Sequence, residues 1–414
     1  MTLPCARGLL CTLTLTSAFA GPTFAQAPDT ALTLPTAVDL ALRHSPVVQA
    51  KEREYAAIRA NEITAGLRPN PTASYSAEQL GNANVDQQHT VALSQPIELG
   101  GKRQRRIENA QAASRVNELE LADVRRQVTA QVKKAFTDVQ AAVAVLKLAT
   151  ENLRALDEVE RVNRLRAEKG DIAELELLRI QVQRFAFERD LGDARQALDV
   201  ARITLRAAIG VDAVAREFDV AGELVFREVP LDRERLLERS LAARPDVRAA
   251  DAARTRARAD LNLARANAWW DIAPQVQYQR IGPNNTFGPG ISIPLRVFDR
   301  NQGEIARTRA EIERAAYQRD AAVVQVRTEV ETALAVVLNE REKVRQLSEL
   351  YLPRAARARD TVDYAYRRGG LSVLDLLDAQ RTYRETALDS VRALSNYWIA
   401  IYQLEAAVGG PLEP

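Results

Sequence analysis

The chain has 414 residues, 46% of them hydrophobic, which is enough to bury a sizeable core and excludes a wholly disordered protein. Its 57 basic and 55 acidic residues nearly cancel, which argues against a general nucleic-acid binder. Only 5% of residues are aromatic, and Ala, Leu, Arg, Glu and Gln fill long stretches, the composition of a helix-dominated protein.

At the N-terminus, Arg7 precedes "GLLCTLTLTSAFA", an apolar run too short to span a bilayer and followed by small residues. This is the pattern of a secretory signal over residues 1–25, with a retained anchor helix as the alternative. Ala20, Ala25 and Ala27 offer cleavage sites, and Ala25 is favoured because Pro28 would sit just past a cut at Ala27. Both cysteines, Cys5 and Cys11, fall inside this segment, preceded by Pro4 and Leu10 rather than the small residue that lipidation requires. The mature chain is therefore expected to carry no disulfide and no lipid. No apolar run of about eighteen residues follows, so no transmembrane helix is expected.

Thr33 and Pro35 supply a cap and an early proline for a first helix, which must kink or restart at Pro46 and then run to "RPNP". "TASYSAEQL" and "HTVALSQPI" alternate in character, with Ala73, Tyr75, Ala77, Val91 and Leu93 on one face. They read as a hairpin, strands about 72–80 and 89–97, across the loop "GNANVDQ". From Lys102 to Glu168 there is neither proline nor glycine, and Val124, Val128, Val132, Phe136, Val139, Val143 and Leu146 form one apolar helical stripe. A helix of that span extends roughly 100 Å. It turns at "KGD", near Gly170, into a further helix that closes the first half at about residue 210.

The second half, 231–414, repeats the first. "ALRHSPVVQA" is answered by "SLAARPDVRA", "PIELGGKRQRRI" by "PLRVFDRNQGEI", and "KGDIAELELLRIQ" by "RGGLSVLDLLDAQ". Strands are expected at about 274–281 and 287–295 across "GPNNT", with Phe287, Ile291, Ile293 and Leu295 alternating with Gly288, Gly290, Ser292 and Pro294. A second long helix is expected from Gln302 to Arg368, turning near Gly369 and Gly370. The period is too long for a solenoid, so each half is a helix–β-hairpin–long helix unit. Between the halves, "DVAGELVF" within 211–230 has strand character, with a plain linker as the alternative.

Four strands of about nine residues match the length of a tilted membrane-spanning strand. An open four-stranded sheet in lipid would leave unpaired backbone at its edges, so it must close by pooling strands with other copies. A soluble coiled-coil adaptor or scaffold explains the helices but leaves the outward-apolar strands without a role.

No catalytic or cofactor constellation is present. His44 and His89 lie on different elements without metal-ligand spacing; His44 reads as a helix-end surface residue and His89 as a strand residue at a wet rim. "IELGGKR" lacks the spacing of a phosphate loop and reads as a tight turn feeding a helix. Beyond the signal no cysteine or methionine remains, so the chain offers no soft metal ligand.

The paired junctions "SQPIELGGKRQRRI" and "GISIPLRVFDRNQGEIARTRAEI", which carry Pro96, Gly100, Gly101, Pro294 and Asp299, resemble those of the outer membrane efflux (TolC) proteins. The "ELGGKR" and "FDRNQG" pair resembles the CzcC-like branch of heavy-metal efflux systems, and the likeness covers essentially the whole mature chain. The resemblance implies a homotrimer, mainly α with a twelve-stranded outer-membrane β-barrel continued by a periplasmic α-helical barrel. It also implies a periplasmic adaptor and an inner-membrane RND pump as partners, outer-membrane lipid as surroundings, and no nucleic acid. Residues 211–230 would belong to a belt around the tunnel. Asp375, Asp378 and, in the first repeat, Glu176 would be carboxylates ringing a periplasmic gate, and Tyr366 a gate tyrosine. Gly170, Gly369 and Gly370 would lie at the tips where an adaptor docks. One departure is Leu371, where the best-known gate of the family has an arginine. Cargo alternatives are drugs or, in a type I secretion system, a polypeptide.

Overall fold

The structure is a computed structural model and describes residues 31–81 and 84–412; the expected signal segment with Cys5 and Cys11 lies outside them. The order of elements is the same in each half. Helix α1 (Leu34–His44) opens with the Thr33 hydroxyl accepting from the Thr36 amide at 3.3 Å. Its successor α2 (Pro46–Ala65) restarts after an extended Ser45, because a proline disfavours helical backbone in the residue before it. Strands β1 (Thr72–Glu78) and β2 (Gln88–Ser94) follow, then α3 (Lys102–Glu168) and α4 (Glu174–Ile209). The second half gives α5 (Arg233–Ala243), capped by Asp232, and α6 (Pro245–Asn267), with the same break at Arg244. Strands β3 (Ala273–Ile281) and β4 (Asn284–Ser292) lead into α7 (Gln302–Arg345), α8 (Leu352–Arg367) and α9 (Val373–Val408).

The uninterrupted helix expected from Gln302 to Arg368 is instead broken by a π-helical turn, Gln346–Tyr351. Pro353 is the cause. It has no N–H to offer Glu349 four residues back and its ring would strike that carbonyl, so the helix widens just before it. In α3, which has no proline, 67 residues run without a break. Val143, expected on the α3 stripe, is 41% exposed while Ala142 is buried, the drift expected when a seven-residue pattern is laid on a straight helix.

Two cores repeat each other. Ala37, Ala41, Val132, Phe136, Val139, Leu205 and Ile209 join α1 to α3 and α4. In the second half Leu236, Val330, Val337, Tyr397, Ile401 and Leu404 join α5 to α7 and α9. The ends of α4 and α9 sit against the two proline breaks. A Cβ on Gly210 would lie 2.9 Å from the His44 carbonyl oxygen, and one on Gly409 would lie 3.2 Å from Arg244 Cγ.

Residues 211–230 correct the strand expectation. Among the described residues their only bridge is Val220 to Leu32; 211–217 form turns and bends against the first-half core, and the stretch around Val225 and Arg227 runs without strand partners over α9. Side chains of α9 take up the backbone that a sheet neighbour would have paired: the Tyr397 hydroxyl donates to Arg227 O (2.8 Å) and Trp398 Nε1 to Val225 O (3.0 Å).

The four strands form one antiparallel meander, β1-β2-β3-β4. Its register aligns Tyr75, Val91, Tyr278 and Phe287 in one row and Ala73, Leu93, Val276 and Pro289 in the next row on that face. The opposite face carries Ser74, Ser76, Thr90, Gln275, Gln277, Gln279, Gly288 and Gly290. Strand β4 starts three residues earlier than expected and ends at Ser292, so Ile293, Pro294 and Leu295 lie beyond it. The reason is the tight turn at Gly282 (φ 53°) and Pro283, which brings Asn284 opposite Ile281 and draws the two asparagines into the ladder. Strand β2 likewise stops at Ser94, short of Pro96, which has no N–H to pair.

Candidate gate at the helix tips

Both tips turn by the same device. After α3, Gly170 (φ 76°) donates to Ala167 O at 3.0 Å and Asp171 to Arg166 O at 2.8 Å. After α8, Gly369 (φ 77°) donates to Tyr366 O and Gly370 to Ala365 O, each at 2.9 Å. A left-handed residue is required at this point of such a turn, and glycine adopts it without a Cβ clash.

Beyond the turns the repeats differ. The Ser372 hydroxyl accepts from the Asp375 amide (3.3 Å), while the Asp375 carboxylate accepts from the Ser372 amide (3.0 Å) and hydroxyl (2.7 Å). This capping box fixes the start of α9. Those two bonds from Ser372 also hold the Asp375 carboxyl below the usual carboxylate range. In the first repeat Ala173 stands in the cap position before α4 and offers no hydroxyl. Glu176, three residues on as Asp375 is from Ser372, has no hydrogen bond or ion pair through its carboxylate among the described residues. Asp378 is exposed and pairs with Arg381 at 2.7 Å.

Tyr366 is 5% exposed and its hydroxyl donates to Asn163 Oδ1 on α3, joining the two repeats. Asn163 is itself oriented by donating from Nδ2 to Val159 O at 2.8 Å. The Arg166 guanidinium lies 5.5 Å from the centre of the tyrosine ring. Burial pushes the phenol pKa up; Arg166 opposes this, Glu176 adds to it, and Asn163 opposes it, with a net rise. Leu156, Ile180, Phe187, Val373 and Leu376 pack with Tyr366 into a small apolar core at the tips. Around it run Asp157–Arg184 (2.6 Å), Glu160–Arg184 (3.0 Å) and Arg384–Asp190 (3.3 Å). A cavity of about 250 Å³ opens between α3 and the α8–α9 pair, lined by Glu158, Asn163, Arg359, Tyr366 and Tyr383 among others.

The expected tip residues thus come together only in part. Glu176 acts on Tyr366 through its charge alone, whereas Asp375 is engaged in the cap and Asp378 in its own ion pair. Asn163 and Arg166 were not legible as partners, because nothing in "ERVNRLRAEKG" marks a contact 203 residues away. Ser372 was legible: "SVLD" is a capping-box pattern.

The junction residues lie at the opposite end of α3, roughly 100 Å from the tips. Gly101 (φ 71°) and Asn301 (φ 61°) are the left-handed residues that start α3 and α7. A Cβ on Gly100 would lie 2.7 Å from the Trp269 ring, so only glycine fits there. Asp299 accepts from the Asn301 amide (2.8 Å), and Asn301 Nδ2 donates to Ala264 O (2.7 Å). Pro96 follows Gln95, whose side chain donates to Pro69 O (3.0 Å), and Pro294 lies between β4 and α7. An anchor ties the first junction to the segment between α6 and β3: Lys102 Nζ donates to both Asp271 oxygens (2.7 Å each) and the Leu99 amide to one (3.0 Å). Burial opposes ionisation of Asp271, but Lys102 and the Leu99 amide outweigh it and hold its carboxyl below the ordinary range.

The sequence model of the outer membrane efflux protein family matches residues 37–211 and 236–410. The chain belongs to that family. Members are transport conduits of the outer membrane that extend into the periplasm, not enzymes. As an outer membrane efflux protein it is 27% identical over 393 residues to the cobalt-zinc-cadmium resistance protein CzcC of Cupriavidus metallidurans, covering 94% of this chain and 92% of that one. It is also 27% identical over 287 residues to the nickel and cobalt resistance protein CnrC of the same organism, covering 67% and 65%. Among solved structures, the CusC channel aligns with a TM-score of 0.75 at 18% identity, covering 91% of this chain and 92% of that one. The Vibrio cholerae outer membrane protein VceC aligns at 0.72 and 17%, covering 92% and 97%. This efflux protein therefore has the fold of those channels. Among its described residues no helix is long and apolar enough to cross a membrane, and no group of three or more His, Cys, Asp or Glu could hold a metal ion.

Proposed function

We propose that this efflux protein is the outer-membrane duct of a tripartite heavy-metal export system. It would pass divalent cations of the cobalt, zinc, cadmium and nickel class outward from a periplasmic adaptor and an inner-membrane RND pump. The observation that carries the duct is the open sheet. Its β1 and β4 edges have no strand partner among the described residues, and Tyr75, Phe287 and Ile291 are exposed on one face. Three copies supply 3 × 4 = 12 strands and join β4 of one to β1 of the next, leaving no edge in lipid. The cargo class rests on the likeness to the CzcC and CnrC proteins over most of the chain.

The same reading places the gate at the tips. Three copies of Glu176 would face the opening with carboxylates that no partner neutralises, and Tyr366 with Asn163 would hold the α3 and α8 tips together. Cysteine occurs only at Cys5 and Cys11 and methionine only at Met1, so residues 26–414 hold no soft metal ligand. Cations would be conducted rather than stored, and metal choice would rest with the pump. The test is a deletion strain exposed to Co, Zn, Cd, Ni, Cu and hydrophobic drugs. Selective sensitivity to the divalent metals, restored by the intact gene, is the expected result; sensitivity to drugs alone would overturn the cargo class.

A further inference from the structure

Along the apolar face of the sheet the rows change in order toward the hairpin turns. Ala73, Leu93, Val276 and Pro289 form an aliphatic row, followed by Tyr75, Val91, Tyr278 and Phe287. The last row is Ala77, His89, Arg280 and Asn285, beside the turns. Both tyrosine hydroxyls reach toward that last row: Tyr75 Oη is 2.9 Å from His89 Nδ1, and Tyr278 Oη donates to Asn285 Oδ1 at 2.7 Å. The Tyr75 and His89 rings are stacked, with an interplanar angle of 10°. Arg280 is exposed; its Nε donates to Gly282 O at 3.2 Å, and its guanidinium has no ion pair among the described residues.

A cation on a lipid-facing strand is tolerated only near the interface, and a desolvated guanidinium there needs an anionic acceptor. Aromatic rows mark the headgroup level of a barrel. We infer that Arg280 and His89 form a binding site for a phosphate group on an outer-leaflet lipid, one site on each copy, with the lipid's acyl chains lying over Tyr278, Val276 and Ile291. The chemistry fits both groups. Arg280 presents two terminal nitrogens that match a phosphate's paired oxygens. When the Tyr75 hydroxyl donates to Nδ1, the ring proton of His89 sits on Nε2, a donor for a third phosphate oxygen. Asp86 lies across the turn against Gly282 and makes no ion pair with Arg280.

This inference rests on the outer-membrane duct reading, and the experiment separates the two. Delipidated wild-type, Arg280→Gln and Arg280→Lys proteins are titrated with diphosphoryl lipid A, with its dephosphorylated form and with inorganic phosphate, and the temperature of oligomer dissociation is followed. Diphosphoryl lipid A should raise that temperature for the wild type, with apparent affinity about tenfold weaker in Arg280→Gln and intermediate in Arg280→Lys. The dephosphorylated lipid and inorganic phosphate should each give little shift. An Arg280→Gln protein that responds like the wild type overturns the site, as does an equal response to the dephosphorylated lipid or to inorganic phosphate alone. Either result leaves the duct standing so long as the wild type fractionates as an outer-membrane oligomer; a wild type absent from that fraction overturns both.

Discussion

The Tyr366 hydroxyl donates to Asn163 Oδ1 across the seam between the two repeats, and both side chains are buried. Each element of the pair belongs to a helix that ends in a glycine turn a few residues later, so this bond joins the two tips close to where they would part. Tyr366→Phe removes the donor and leaves Asn163 with a buried, unsatisfied oxygen, costing about 1–2 kcal/mol at the seam. The variant should open more often, with higher conductance in planar bilayers and raised sensitivity of cells to large antibiotics. A conductance trace identical to the wild type would show that the seam does not restrain the tips.

Selectivity should follow which carboxylates are unengaged. Glu176→Gln is expected to lower the cation-over-anion permeability ratio by roughly two- to fivefold, since rings of carboxylates favour cations. Asp378→Asn should act less because Arg381 already offsets that charge. Asp375→Asn should mainly loosen the start of α9, since its carboxylate serves Ser372. Reversal potentials in a salt gradient decide among the three; equal effects at all three positions would show that local pairing does not matter.

The wall of the barrel is open to test from outside the cell. Gln275 and Gln277 lie over Gly290 and Gly288, so a Cβ on Gly290 would meet Gln275 Nε2 at 2.9 Å, and the glutamines line the polar face without charge. Gln277→Cys should react with cationic and anionic thiol reagents at similar rates, and Tyr278→Cys, on the other face, with neither. In the same strands Ile291→Arg should impair assembly, at about 2–4 kcal/mol for a cation at mid-bilayer, while Ser292→Arg is tolerated. Reversed labelling of Gln277→Cys and Tyr278→Cys would invert the face assignment.

Acid should weaken the junction anchor. The folded pKa of Asp271 is depressed, so the unfolded chain binds the proton first as pH falls. Stabilisation by the Lys102–Asp271 pair is complete above the ordinary aspartate value of about 4 and is lost as pH drops through the lower folded value. Asp271→Asn should destabilise the neutral-pH protein by about 2 kcal/mol, because Lys102 is left buried without its partner while Asp271 is itself partly exposed. It should also flatten the loss between pH 5 and pH 2, taken as approximate bounds around the aspartate range. Dissociation temperatures across that range check both; an unchanged acid slope in Asp271→Asn would assign the loss to other carboxylates.

The duplicated plan is written in the sequence, because it depends on local chemistry repeated at a fixed interval. Prolines at Pro46 and Pro245 break two helices alike, Gly170 and Gly369 turn two tips alike, and alternation at Tyr75, Val91 and Tyr278 sets one sheet face. What the tertiary structure decided are the terms that depend on neighbours distant in the chain. The limits of β4 follow from its pairing with β3, and the course of the stretch around Val225 and Arg227 from the α9 side chains that take its carbonyls. The division of labour among Glu176, Asp375 and Asp378 depends on whether Ala173, Ser372 or Arg381 stands within reach. Residue type and spacing fix where a carboxylate sits on its helix. Whether it is neutralised or free is settled by the groups that folding brings within about 3 Å of it.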